Sequence, residues 1–189
     1  MTRSQKAAVL AELVERLRAQ DSWAGETHLQ KAVFFLQTML GSPMGYDFIL
    51  YKHGPFSFDL RDELTGLRAD GILELEAQVP PYGPRFATTG IGRGIAERHP
   101  KTLEGQAARL DFVANLFHGK GVKELERLAT ALYSSLENGW NASVEDRARF
   151  LNEIKPHVSL DEAREAVSAL DALHAEAQHR GLEQNYLSV

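Results

Sequence analysis

The sequence predicts an α+β chain, mostly helical, with a winged-helix-like N-terminal part containing a β-hairpin over residues 1–100 and a C-terminal helical bundle over residues 101–189. Three observations carry that prediction. Apolar residues recur at three- and four-residue steps through most of the chain. Two short runs, residues 72–76 and 85–88, flank a connection stiffened by Pro80, Pro81, Gly83 and Pro84, which reads as a hairpin. Three helices followed directly by a hairpin is the element order of a winged helix, a variant of the helix-turn-helix.

Residues 4–20 place Ala7, Leu10, Leu13, Val14 and Leu17 on one side and Glu12, Arg16 and Arg18 on the other, which predicts a surface helix with one buried stripe. After a break at residues 21–25, Thr27 is the expected N-cap of a second helix carrying Leu29, Ala32, Val33, Phe35, Leu36 and Leu40. That helix is apolar on every side around residues 32–36, so it belongs at the centre of a domain, and Gln30, Lys31 and Gln37 then need partners or an edge position. Residues 46–51 alternate as a short extended segment, and Gly54-Pro55 ends it. Ser57 is placed to cap a third helix with Leu60, Leu64 and Leu67 inward and Gly71 as its left-handed stop. Beyond the hairpin, Thr88 or Thr89 caps a short helix.

Residues 103–117 and 122–136 are amphipathic, and Ser143 with Asp146 and Ser159 with Glu162 start two further helices in capping-box fashion. The C-terminal part is expected to pack on the first or to mediate a homodimer. The tail, residues 182–189, has no strong periodicity.

The chain has 189 residues, 43 % hydrophobic and 25 % charged, enough for one large domain or two small ones. It contains no cysteine, which removes disulfides, thiol catalysis and thiolate metal sites. With no apolar run of membrane-spanning length, the expectation is a cytoplasmic protein without a membrane partner. Net charge is −5, and the first hundred residues hold 11 Lys and Arg against 12 Asp and Glu. The basic footprint of a non-specific nucleic-acid binder is therefore missing.

Candidate chemistry concentrates around residues 51–58. Leu29-Gln30-Lys31 opening an apolar helix, the run Tyr51-Lys52-His53-Gly54-Pro55-Phe56-Ser57 with Leu60, and residues 67–72 ("LRADGI") together resemble the YwgA-type uncharacterised family. That likeness continues through residues 124–130 and Ile154-Lys155-Pro156. Residues 29–64 are more distantly similar to the Panacea domain of antitoxins, with His53 as a departure from its tyrosine-glycine-proline turn. The resemblance implies a non-catalytic regulatory or antitoxin-like module whose partner is another protein, a toxin or a regulatory protein. Tyr51, Lys52, His53, Phe56 and Phe58 form the expected partner surface, an aromatic and basic set of the kind interface hot spots favour. Leu29, Gln30, Lys31, Gly54, Pro55 and Ser57 carry the structural motif.

Two other classes stay open. A winged-helix DNA-binding transcriptional regulator would use Arg61, Thr65 and Arg68 in the groove and Arg85 and Arg93 on the wing or backbone, against Asp59, Asp62 and Glu63 on the same helix. An enzyme acting on nucleotides or nucleic acid would need a carboxylate or histidine cluster that only folding assembles. A His53–Ser57 base and nucleophile lack an evident third group, and the glycines of residues 89–94 follow neither phosphate-loop pattern. Those glycines are expected to let a helix start pack closely on the hairpin. His174 and His179 are five apart and do not share a helix face, so neither a metal nor a cofactor is expected. Lys31 is expected to lay its stem on the core with the ammonium at water or a carboxylate, or, more pointedly, to pair with an acid of the third helix and fix the turn.

Overall fold

The computed structural model describes residues 1–80 and 82–183. The chain is α+β and mostly helical, with two separate two-stranded antiparallel hairpins. Helix α1 (Arg3–Ala19) opens with a capping box in which Thr2 accepts from Gln5 N. It is more deeply enclosed than a one-stripe surface helix, because Ala8, Val9 and Ala11 are buried beside Leu10, Leu13, Val14 and Leu17. Its alanines let helices α4 (Gly90–Glu97) and α5 (Pro100–Phe117) and strand β4 (Arg85–Thr88) all pack on it.

Helix α2 (Glu26–Phe34) begins one residue before Thr27, with Gly25 as its N-cap and no side-chain cap. The preceding corner sets that start. Asp21 and Ala24 adopt φ of 53° and 51°, and a Cβ on Gly25 would lie 2.9 Å from the Trp23 ring. Every residue from His28 to Phe34 is buried, so α2 occupies the centre of the molecule as its composition requires. It continues as a π-helical turn, Phe35–Met39, in which Leu40 N reaches back to Phe35 O.

Strands β1 (Ile49–Tyr51) and β2 (Gly54–Phe56) form a tight hairpin with Tyr51 opposite Gly54. The sequence suggested only the first of these strands. Residues 46–48 fall outside the ladder because Gln37 captures Tyr46, donating to its carbonyl at 2.7 Å and accepting its N–H at 2.8 Å. Helix α3 (Phe58–Ala69) follows, capped by Ser57, which accepts from Leu60 N, and stopped at Gly71 with φ of 68°. Strand β3 (Leu73–Glu76) pairs with β4 from Leu73↔Thr88 to Glu76↔Arg85.

Thr89 caps α4, and a Cβ on Gly92 would meet Ile72 O at 2.4 Å, so the glycine there serves close packing on the hairpin. Helices α6 (Val122–Asn138), α7 (Val144–Ile154) and α8 (Leu160–His179) pack on one another, and α6 also packs on α2 and β2. Ser143 caps α7, and Ser159 with Glu162 completes the box on α8. One hydrophobic cluster runs from Ala7 to Leu182 through both halves of the chain. No helix among the described residues is long and apolar enough to cross a membrane.

Candidate functional site

The site is the β1–β2 hairpin and the first turn of α3, held from beneath by side chains of α2, α6 and the α7–α8 connection. Gln30 grips the Ser57 backbone on both sides, donating to its carbonyl and accepting its N–H, each at 2.9 Å. Gln37 treats Tyr46 the same way, so the two polar residues of the apolar helix each satisfy a passing extended segment.

Lys31 is 1 % exposed and its ammonium donates to Pro55 O at 2.7 Å. It reaches neither water nor an acid of α3. The charge facing it is Glu126 of α6, and burial lowers the Lys31 ammonium to about 8, with Glu126 opposing the shift and Lys155 adding to it. The turn is fixed as expected, but through a backbone carbonyl.

From the other side Lys155 donates to the carbonyls of Tyr51 at 2.8 Å and Lys52 at 2.5 Å, and lies 3.4 Å from Glu126 Oε1. Glu126 is buried between four basic groups: Lys31, Lys155, His53 with Nδ1 at 3.4 Å and His157 with Nε2 at 3.7 Å. Its Oε1 has no hydrogen bond. Gly54 sits in this contact with φ of 80°, and a Cβ there would lie 3.0 Å from Thr130 Oγ1. Glycine is required twice over, by backbone and by space.

Only part of the run from Tyr51 to Ser57 is exposed. Gly54, Pro55 and Ser57 are buried, whereas Lys52 and His53 are open to solvent. Leu29 lies in the core. Tyr51, Phe56 and Phe58 form one ring cluster, with centroids 5.7 Å apart for Tyr51–Phe56 and Tyr51–Phe58 and 5.1 Å for Phe56–Phe58. Tyr51 remains 48 % and Phe58 41 % exposed, and Ile49 on the same strand is 49 % exposed. An apolar surface therefore stands on a backbone that buried side chains hold in place.

The other candidates are dispersed. Arg61, Thr65 and Arg68 are exposed along α3, but Arg61 pairs with Asp62 and lies 5.0 Å over the Phe58 ring. Arg85 donates to Trp23 O and stacks on that ring, and Arg93 donates to Thr88 O beside Glu15. Both arginines are thus engaged within the fold. Ser57 Oγ is occupied as a cap and His53 faces Glu126, so the two serve separate contacts. His174 stacks on Trp140 at 3.7 Å, His118 meets Gln20 O at the end of α1, and His28 is buried, which lowers its imidazole.

The sequence reading gave no site role to Glu126, Thr130, Lys155 or His157, although the first three stand in motifs that carry the family likeness. A signal existed for the first two: both interrupt the apolar stripe of α6, where Leu125, Leu128, Ala129 and Leu132 are buried. Away from the hairpin, a groove of about 670 Å³ between α5, α6 and α8 has Phe112, Leu116, Leu128 and Leu173 as its apolar lining. Most of its rim charges are paired internally, Lys120 with Glu124, Arg127 with Glu162 and Arg180 with Glu176.

The likeness to the YwgA-type family and to Panacea domains rests on its short motifs alone. No protein-family model matches this chain, and no curated protein matches it.

Proposed function

We propose that this protein is a non-catalytic regulatory or antitoxin-like module that binds a protein partner through residues 51–58 and the adjoining helices. In this reading a winged-helix-like N-terminal part carries the surface and a C-terminal helical bundle braces it. The observation that carries the reading is the partly exposed Tyr51–Phe56–Phe58 cluster on a hairpin whose backbone is pinned by Gln30, Lys31 and Lys155. Exposed aromatic rings on a rigid support bind with little loss of conformational freedom, which is what anchors of protein interfaces require. The fixed backbone also explains why so many polar groups are buried under a short turn.

Charge weighs against the DNA-regulator alternative. Helix α3 holds two arginines against Asp59, Asp62 and Glu63, and the paired strands hold Glu74 and Glu76 against Arg85. A phosphate-tracking surface needs a positive excess that neither element supplies. The test is affinity capture from the native cell with wild type and a folded Tyr51→Ala/Phe58→Ala variant, followed by direct binding of the purified captured protein. Loss of that binding in the variant is expected. Equal recovery of the same partners by both would overturn the reading, and steeply salt-dependent binding to duplex DNA would favour the regulator instead.

A further inference from the structure

Resting on the proposed protein-binding role, we infer that the partner segment is acidic: a peptide that places apolar anchors on Tyr51, Phe56 and Phe58 and carboxylates beside the hairpin tip. The argument is electrostatic. Beneath the tip lie two buried ammonium groups, Lys31 and Lys155, and one buried carboxylate, Glu126. Lys52 adds an exposed cation at the tip itself, and the exposed imidazoles of His53 and His157 flank it. The local balance is therefore positive in a chain whose net charge is −5. Buried charge is screened less than surface charge, so this excess is felt at the surface above it.

The acids of α3 do not cancel it. Arg61 shares the Phe58 side of the helix, three residues on, and Asp62 is engaged by that arginine. Glu63 is paired with Arg3, which leaves exposed Asp59 as one negative charge beside Phe58, fewer than the cations gathered at the tip. Asp47 precedes β1, at the end of the strand remote from the tip.

Rings and cations also suit single-stranded nucleic acid, but the ring geometry favours a peptide. Stacked bases need open, flat ring faces. Here the three rings meet at interplanar angles of 43°, 66° and 74°, tilted or edge to face, which leaves an uneven apolar surface fitted to side chains.

The experiment is selection of short random peptides displayed on phage against the full-length chain, counter-selected on Tyr51→Ala/Phe58→Ala. Surviving peptides are then measured on wild type and Lys52→Glu, with an oligo-dT strand as the nucleic-acid probe. Selected peptides should carry more Asp and Glu than Lys and Arg, and Lys52→Glu should weaken them by about threefold to tenfold at low salt. Neutral or basic survivors unaffected by Lys52→Glu would overturn the acidic assignment while leaving the protein-binding role standing. No peptide that distinguishes wild type from the double variant would remove the protein-binding role, and this inference with it. Binding of oligo-dT lost in the double variant would replace the peptide by nucleic acid.

Discussion

The two hairpins of this protein have strands of three and of four residues and are held in different ways. Strands β3 and β4 are fixed mainly by apolar burial: Leu73, Phe86 and Ala87 lie in or against the core, with Arg18 and Arg93 donating to the Phe86 and Thr88 carbonyls at its edge and Thr88 donating to Ala11 O. Strands β1 and β2 bury little apolar area and are fixed instead by polar side chains reaching the backbone of residues 51–57 from α2 and from the α7–α8 connection. Apolar packing tolerates small shifts, whereas a bidentate amide and two lysines on named carbonyls specify position. The β3–β4 hairpin is a structural wall. The β1–β2 hairpin is a mounting for exposed rings, and the buried charge beneath it is the cost of that positioning.

The comparison breaks most visibly at the anchors. Phe86→Ala should destabilise the fold by about 3–5 kcal/mol, the usual cost of emptying a buried aromatic site. Gln30→Leu should cost about 2–4 kcal/mol, because it strands the buried Ser57 N–H and removes one of the two hydrogen bonds to its carbonyl, which keeps Arg61 N. Urea unfolding measures both. A cost below ~1 kcal/mol for Gln30→Leu would show that the polar anchors are dispensable.

Lys155→Met should cost about 2–4 kcal/mol, since it removes the donor to two carbonyls and leaves Glu126 with less compensation. The buried Lys31 offers a pH signature. Its folded-state value near 8 lies below the ordinary 10.5, so the unfolded chain binds more protons between those values. Stability therefore rises as pH climbs through 8 and is lost as pH falls through it, by about 1–2 kcal/mol between roughly pH 8 and 9.5. Unfolding curves of wild type should show that rise, and those of Lys31→Met should lack it. The opposite effect from Tyr46, whose hydroxyl is pushed up, belongs to higher pH. Smallest in stability is Tyr51→Ala, at about 1 kcal/mol or less for a half-exposed ring, yet it should abolish partner binding measured by titration calorimetry.

Much of this was legible in the sequence because local rules coincide with tertiary ones. Ser57, Thr89, Ser143 and Ser159 cap the helices they were expected to cap, and the 73–88 hairpin follows from its turn residues. Gln30 and Gln37 on an apolar helix announced a need for partners. What stayed hidden is non-local. Lys155 and Glu126 are distant from the hairpin in sequence, and no spacing rule could say that α6 and the α7–α8 connection meet Tyr51 and His53. The Thr27 cap failed because the left-handed corner at Ala24 and the crowded Gly25 decide the start of α2, and a propensity cannot register crowding.

Amide hydrogen exchange in wild type and Lys155→Met tests the central claim, that buried polar anchors hold the ring-bearing hairpin in place. The amides of residues 49–57 should exchange at least about tenfold faster in the variant, with those of residues 73–76 and 85–88 unchanged once the loss of global stability is allowed for. Equal acceleration of both hairpins, or of neither, would contradict it.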